Sequence, residues 1–320
     1  MENFATGAIK DLPDTRDYHF SAIAGSLPPF DWSTEYDVEK IIGKKLKVKD
    51  QDGSSSCGGQ AWGYYGEVLD SDYEEKSAKF IYAQTFEPGG GTYGRRICDL
   101  VVNKGWGDER LTPSYDGWKP AEEAFYTRPQ DITPEAFTDA YLDRALSYAT
   151  VSININSIAQ AIRENKGCVI GITGKNNNTW RTAFPLRPDV LDNTTWNHWV
   201  FCTGAKLIDG KKFIKIINSW GDIGEEGHQY ISEDYFQYPY VWSAWTMVYN
   251  FPKPQKYIFN LTLKLGSRGD EVRELQRRLN LKPDGIFGLK THLAVKEYQK
   301  KHNLFVDGIV GAKTRAELNQ

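Results

Sequence analysis

The sequence lacks the features that mark several classes of protein. Its 320 residues include only four cysteines, with no CxxC pair and no close Cys/His spacing, so we expect no metal site and no need for an oxidising compartment. No stretch approaches the roughly 18 apolar residues that span a bilayer, so we expect no membrane insertion. The N-terminus shows no basic stretch followed by an apolar one, so no secretory signal is visible.

What is present is an ordinary globular composition with many aromatic residues. Hydrophobic residues make up 40% of the chain and charged residues 25%, and the length is sufficient for two domains. Ten Trp and eighteen Tyr are consistent with a sizeable core and a groove lined with rings. Cys168 and Cys202 lie in apolar, strand-like runs, so we predict that both are small buried side chains.

The charge is distributed unevenly along the chain. From residue 253 onwards there are 14 Lys and Arg against 7 Asp and Glu, whereas the preceding residues carry 25 against 35. An acidic body joined to a basic tail indicates two modules, the second suited to an anionic partner. We therefore predict a body at 1–251 with an extended segment at 1–30, a proline-stiffened linker at 252–260, and a tail at 261–320.

The tail contains an internal repeat. DGIFGLKT at residues 284–291 recurs as DGIVGAKT at residues 307–314. Each copy predicts a turn on Asp-Gly, an apolar anchor at Ile286 or Ile309, and a final threonine that caps a helix. With the helical spacing of the surrounding apolar residues, the repeat predicts a small helical bundle without a recognisable catalytic set.

This tail resembles the bacterial peptidoglycan-binding domain of the three-helix type. The resemblance rests on the LGSRGDEV opening, the LQRRLN helix and the doubled turns, and it covers residues 261–318. It implies binding to bacterial peptidoglycan or cell-wall peptide, through either the glycan or the stem peptide. Charge alone would leave a generic helical appendage to an anionic partner open.

In the body, a cysteine follows a small polar loop and precedes a helical pattern. Gln51 lies six residues before Cys57, and apolar residues recur at helical spacing after the cysteine. We expect Cys57 at a helix N-terminus, where the helix dipole and free N–H groups favour the thiolate. Gly58 and Gly59 would keep side-chain bulk away from the sulfur and leave room for a substrate carbonyl.

Two later segments predict a β-hairpin that brings a histidine and an asparagine together. His198 opens an apolar strand that runs to a turn at Asp209 and Gly210, and the return strand ends at Asn218. Because a hairpin places the ends of its strands side by side, Asn218 can accept a hydrogen bond from His198. That bond would hold one ring nitrogen toward the cysteine.

These three motifs resemble the papain-like cysteine peptidases, over about residues 27–251. The matching patterns are Q-x5-C before a helix, then N-H-x-V, then N-S-W-G. The resemblance implies that Cys57 is the nucleophile and that His198 is the general base and then the acid, oriented by Asn218. Gln51 would supply its side-chain amide to the oxyanion hole, beside the backbone N–H of Cys57.

For substrate binding, the resemblance implies Gly90, Gly91 and Trp220. The glycines would present backbone to an extended substrate as an added strand does, and the tryptophan would shield the Asn–His hydrogen bond from water. Plainer alternatives remain open, namely a flexible turn for the glycines, simple core for Trp220, and a surface loop for Gln51.

The sequence departs from the family at three points, one of which is Gly58, at a position where the family usually has a tryptophan. Ser54 stands where the family has a cysteine, so the disulfide common at that loop is absent. Only 56 residues precede Cys57, which is too few for a typical inhibitory propeptide and a mature N-terminus, so we do not expect zymogen control.

The predicted protein is therefore of the α+β class. A two-lobed papain-like body, with a helical lobe and an antiparallel β-sheet lobe, precedes an all-α three-helix bundle. We expect a monomeric cysteine endopeptidase that cleaves peptidoglycan as a phage endolysin or virion-associated lysin does, made in the cytoplasm and acting on the wall after release. We expect no cofactor, metal or nucleic-acid partner. Alternatives are a wall-anchored protease of protein substrates, an amidase, and an inactive wall-binding or virion module.

Overall fold

The chain forms two compact units, residues 1–250 and 251–320, which we call the body and the tail. The predicted linker at 252–260 lies largely outside the described residues. The computed structural model describes residues 6–15, 17–24, 27–70, 72–115, 122–176, 178–248, 259–279, 281 and 284–319.

The body combines short helices with a large sheet. Its helices are α1 Ser21–Ala24, α2 Val38–Ile42, α3 Cys57–Leu69, α4 Ala78–Thr85, α5 Gly94–Asn103, α6 Glu123–Tyr126, α7 Pro134–Ala140 and α8 Ile155–Asn165. Its strands are β1 Ala8–Ile9, β2 Tyr36–Asp37, β3 Thr92–Tyr93, β4 Ser147–Thr150, β5 Cys168–Lys175, β6 Thr195–Ile208, β7 Lys211–Ile217, β8 His228–Ser232 and β9 Val241–Val248. Short 3-10 helices cover Pro129–Asp131, Thr179–Arg181 and Glu233–Tyr235.

The main sheet has the strand order β4-β9-β5-β6-β7-β8, and β2 pairs with β6. All of these described pairings are antiparallel, which confirms the predicted antiparallel lobe. The predicted hairpin is formed by β6 and β7. Its turn places Asp209 at φ 48° and Gly210 at φ 77°, the positive values that make an Asp-Gly pair favourable there. Cys168 and Cys202 lie opposite each other on β5 and β6, both buried as predicted.

Helix α3 forms the centre of the helical lobe. It begins at Cys57, and all thirteen of its residues are buried because it packs against α4 on one side and β6 on another. The predicted helix after the cysteine is therefore confirmed. Its glycines permit this close packing: a Cβ on Gly66 would lie 2.5 Å from the Trp106 ring.

The tail contains α9 Asp270–Arg278, α10 Leu289–Lys301 and α11 Ala312–Leu318, which confirms the predicted helical bundle. Both copies of the repeat use the same buried hydrogen bonds. In each, the amide of a helix glutamine donates to an aspartate, a backbone carbonyl and a threonine of the following turn. The two sets are Gln276 with Asp284, Ile286 and Thr291, and Gln299 with Asp307, Ile309 and Thr314.

The repeat places two residue types differently from the prediction. Ile286 and Ile309 are not the apolar anchors; Phe287 and Val310, one residue later, are buried, while Ile286 is 41% exposed. In each turn the isoleucine carbonyl accepts from the buried glutamine, so the next side chain is the one that points inward.

The threonines also do not cap their helices. Helix α10 begins at Leu289 after Gly288, and α11 begins at Ala312 after Gly311, so each threonine lies inside the first turn. There its hydroxyl oxygen accepts a hydrogen bond from the glutamine of its repeat.

Candidate active site

His198 and Asn218 meet where the hairpin strands end. His198 lies near the start of β6 and Asn218 directly follows β7, so the imidazole Nε2 is 2.8 Å from the Asn218 Oδ1. The predicted hydrogen bond is therefore present. Burial lowers the pKa of His198 to about 3, with the Asn218 contact acting in the opposite direction. Among the described residues, the other ring nitrogen, Nδ1, has no hydrogen-bond partner.

Trp220 lies on the face of this histidine. The two rings are stacked with centroids 4.2 Å apart and an interplanar angle of 21°. Trp180 and Trp196 contact the Trp220 ring edge-on, so the indole belongs to an aromatic cluster around the imidazole. This position suits the predicted shielding of the Asn–His hydrogen bond, and a contact of Trp220 with substrate stays a prediction.

The sulfur of Cys57 is completely buried at the first residue of α3. Burial raises the pKa of its thiol to about 12, although backbone N–H groups of Trp199, Gly58 and Gly7 interact with the sulfur and act in the opposite direction. The nearby charge of Glu123 raises it further. In this state the loss of solvent disfavours the expected thiolate.

The glycines after Cys57 do not face open space, and the room for a substrate carbonyl beside the sulfur stays a prediction. A Cβ on Gly58 would lie 2.5 Å from the Thr92 Cγ2, and one on Gly59 would lie 2.5 Å from the Ala78 carbonyl oxygen. Both glycines instead allow neighbouring elements to pack directly against α3.

Gln51 ties the nucleophile loop to the segment after Asn218. Its Nε2 donates to the Ser54 carbonyl at 2.8 Å, and its Oε1 accepts from the Ser219 hydroxyl at 2.6 Å. Gln51 is buried, so the surface-loop alternative is wrong, while its oxyanion role stays a prediction. The Ser54 hydroxyl donates to the Gln51 carbonyl at 2.7 Å and lies 2.7 Å from the Ser56 Oγ, so hydrogen bonds hold the loop at the position of the family's disulfide.

The N-terminal segment of the chain lies beside the loop that precedes Cys57. Strand β1 pairs in parallel with β3, and the N–H of Thr92 donates to the Gly7 carbonyl at 2.8 Å. Gly7 packs so closely that a Cβ there would lie 1.9 Å from the Ser55 carbonyl oxygen. The backbone of Gly7 therefore lies between the Ser55 backbone and Thr92 of β3.

Gly90 and Gly91 lie beside this pairing, and their role toward a substrate stays a prediction. The N–H of Gly91 donates to the Tyr82 Oη at 2.7 Å, and its carbonyl accepts from the Glu87 N–H at 2.9 Å. The N–H of Gly90 donates to the Glu87 carbonyl. Neither of these N–H groups donates to β1, whose pairing partners are Thr92 and Tyr93.

The segment is anchored at the start of α5. Asp11 accepts from the N–H groups of Gly94 at 3.0 Å and Arg95 at 3.2 Å, as a capping residue does. The Arg95 guanidinium pairs in turn with Asp17 at 2.6 Å. Residues 7–11 are thus held beside the loop that precedes Cys57, and the absence of zymogen control stays a prediction.

Glu123 and Gln229 also lie around the site, although neither belongs to one of the sequence motifs. Glu123 accepts from the Ser55 N–H at 2.6 Å and from the Tyr82 hydroxyl at 2.7 Å, and it thereby joins the nucleophile loop to the glycine loop. Gln229 on β8 accepts a hydrogen bond from Asn218. The sequence indicates such a role only through the presence of a polar residue in an otherwise buried strand, because a buried polar side chain needs a hydrogen-bond partner.

Solved structures of cysteine proteases are similar to the body of this chain. Xylellain, a cysteine protease from Xylella fastidiosa, is 19% identical over 77% of this chain and 97% of its own, with a TM-score of 0.61. Bromelain from Ananas comosus, solved with the E64 inhibitor, is 19% identical over 68% of this chain and 99% of its own, at 0.52. Procathepsin B S9 from Trypanosoma congolense is 13% identical over 77% of this chain and 87% of its own, at 0.59.

The body has the papain-like fold. Residues 268–318 match the family model described as "Putative peptidoglycan binding domain", so the chain joins a papain-like body to a tail of the peptidoglycan-binding type. No curated protein matches the sequence.

Within the described ranges, no group of His, Cys, Asp and Glu side chains is arranged to hold a metal ion. No helix in the part of the chain that the structure describes has both the length and the apolar character to cross a bilayer.

Proposed function

We propose that the papain-like body is a cysteine endopeptidase in which Cys57 is the nucleophile and His198 the base. One observation carries this proposal. Trp199, the residue directly after His198, packs against the first turn of α3, where a Cβ on Gly58 would lie 3.4 Å from the Trp199 Cδ1, and this contact supports a pairing of Cys57 with His198 across the two lobes. The imidazole there is bonded to Asn218 through Nε2 and keeps Nδ1 unpartnered among the described residues.

The chemistry begins from a neutral pair. When a peptide binds, the thiol proton passes to Nδ1 of His198 and the sulfur attacks the carbonyl carbon. The oxyanion is held by the backbone N–H of Cys57 and the side-chain amide of Gln51. The imidazolium protonates the leaving amine, giving a thioester and a free amino group. Water, deprotonated by His198, then hydrolyses the thioester and regenerates the thiol.

The tail directs the proposed substrate toward the bacterial wall. Because its family is described by peptidoglycan binding, the endopeptidase would act on peptides of peptidoglycan, as an endolysin does. The test is digestion of purified peptidoglycan by the full chain, with new amino groups counted and the fragments identified by mass spectrometry.

Cys57→Ala is the matched control for that test. It should lose amino-group release and still co-sediment with the wall, because the substitution lies in the body and leaves the tail intact. Equal release by the Cys57→Ala variant would overturn the assignment of Cys57.

A second candidate function is proteolysis of protein substrates by an enzyme that the tail anchors. The observation that favours it is strand β1, because its ordinary polypeptide backbone pairs with Thr92–Tyr93. Activity on unfolded casein with none on peptidoglycan would favour this alternative. Failure of Cys57 to react with iodoacetamide, even after the N-terminal segment is displaced, would instead favour an inactive wall-binding module.

A further inference from the structure

We propose that Gln229 is a positioning residue that sets the tautomer of His198 by orienting Asn218. For its catalytic consequence the inference rests on the proposed function, but its structural core concerns only the placement of one proton. A chain of hydrogen bonds runs from two backbone carbonyls through Gln229 and Asn218 to the imidazole.

The first step fixes the amide of Gln229. Its Nε2 is 2.7 Å from the Trp180 carbonyl oxygen and 3.0 Å from the Thr182 carbonyl oxygen. A backbone carbonyl can only accept, so the side of Gln229 that faces both must be the NH2 group. Gln229 is fully buried, so turning the amide over would set its oxygen against two carbonyl oxygens without water to compensate.

The second step passes this direction to Asn218. With its NH2 committed, Gln229 presents Oε1 to Asn218, whose Nδ2 donates to it at 2.9 Å. The Asn218 Oδ1 then points the other way, where it also accepts from the Ser219 N–H at 2.8 Å. A reversed Asn218 amide would face oxygen with oxygen at Gln229 and donor with donor at Ser219.

The third step places the proton on the ring. Because Oδ1 of Asn218 can only accept, the His198 Nε2, 2.8 Å away, carries the hydrogen. In the neutral imidazole Nδ1 is then the lone-pair nitrogen, which is the atom without a hydrogen-bond partner among the described residues. A reversed Asn218 would donate to Nε2 and move the hydrogen to Nδ1, and the base would be lost.

The same peptide segment also supports the ring from its face. Trp180, whose carbonyl directs Gln229, places its indole edge-on against Trp220, and Trp220 stacks on His198. Trp180 in the 3-10 helix Thr179–Arg181 therefore contributes both to the orientation of the Gln229 amide and to the stacking that holds the His198 ring.

Nitrogen-15 NMR of the full chain, labelled at histidine, measures this tautomer directly and needs no activity. We expect His198 of the wild-type chain to be neutral with the hydrogen on Nε2. In Gln229→Met, which keeps the side-chain volume and removes both functions of the amide, the ring should become a mixture of the two tautomers. Gln60→Met is the matched control: Gln60 is equally buried but donates to Ser56 and Tyr126, so the His198 tautomer should not change.

A double-mutant cycle then separates positioning from general damage. Gln229→Met should lower kcat by about tenfold with a smaller change in KM, because the fraction of competent tautomer falls while the groove is unchanged. In an Asn218→Ala background the same substitution should lower kcat no further. An additive loss in that background would overturn the proposal, as would an unchanged His198 tautomer in Gln229→Met.

If Gln229→Met does not fold, the wild-type spectrum still decides, since a hydrogen on Nδ1 in the wild-type chain contradicts the proposed chain of bonds. An absence of any hydrolysis would refute the proposed function alone, because the tautomer is read without turnover.

Discussion

The two sides of the candidate active site are held in different ways. On the His198 side, strands and a peptide segment fix the ring through hydrogen bonds and stacking, and the base is ready for a proton. On the Cys57 side, the sulfur lies at the start of a buried helix but beneath the chain's own Gly7. The difference teaches that the fold holds the proposed base through hydrogen bonds and ring stacking, whereas the proposed nucleophile is enclosed beside the N-terminal segment.

The largest expected effect tests whether the two sides act together. Cys57→Ala and His198→Ala should each lower turnover by more than about 10⁴-fold, and the double variant should lose no more than either single variant, because both serve one proton transfer. Initial rates of amino-group release measure this. Losses that multiply in the double variant would show that the two residues do not form a catalytic unit.

The second effect is on the free energy of unfolding, which changes with pH in opposite directions for His198 and Cys57. The folded state keeps His198 neutral down to a pKa of about 3, whereas the unfolded chain takes up a proton near 6.5. The free energy of unfolding should therefore decrease as the pH falls below 6.5, by up to about 1.4 kcal/mol per pH unit from this residue. The raised pKa of Cys57 acts in the other direction, with stability lost as the pH rises above 9.

Tryptophan fluorescence during denaturant unfolding measures the acid effect, because all ten Trp lie in the body. His198→Gln should show a shallower decrease than the wild-type chain between pH 6.5 and 4.5. Parallel decreases would mean that the imidazole is not held neutral.

The third effect concerns how far Gly7 restricts the access of reagents to the Cys57 sulfur. A side chain at Gly7 meets the Ser55 backbone, so Gly7→Val should displace the segment and raise the rate of Cys57 alkylation by iodoacetamide by about tenfold. Gly53→Ala is the control, since a Cβ there meets nothing within 4 Å. Equal alkylation rates in all three chains would show that Gly7 does not restrict access to the sulfur.

The smallest effect concerns the loop before the nucleophile. Ser54→Ala removes the buried bonds to Gln51 and Ser56 and should lower the free energy of unfolding of the body by about 1 kcal/mol. Ser21→Ala, at an exposed position, should change it far less. If the two variants were equally stable, the Cys57 side would not depend on these serines.

Much of the site follows from local patterns. The helix after Cys57 and the hairpin from His198 to Asn218 depend on apolar spacing and on one Asp-Gly turn, which act over a few residues. The antiparallel lobe and the helical tail follow for the same reason. The repeat itself is also visible in the sequence. Its buried anchor lies one residue after the predicted isoleucine, because the Ile286 carbonyl binds Gln276 of α9 and the side chain of Phe287 then points inward.

The amino-acid sequence by itself determined which residues form the helix, the hairpin and the tail, because periodicity and turn chemistry are properties of neighbouring residues. Only the tertiary structure decided that Gly7 covers the Cys57 sulfur, that Gln229 directs Asn218, and that burial moves the pKa of the nucleophile upward. Each of these depends on contacts between segments far apart in the chain and on the exclusion of water, which short patterns do not encode.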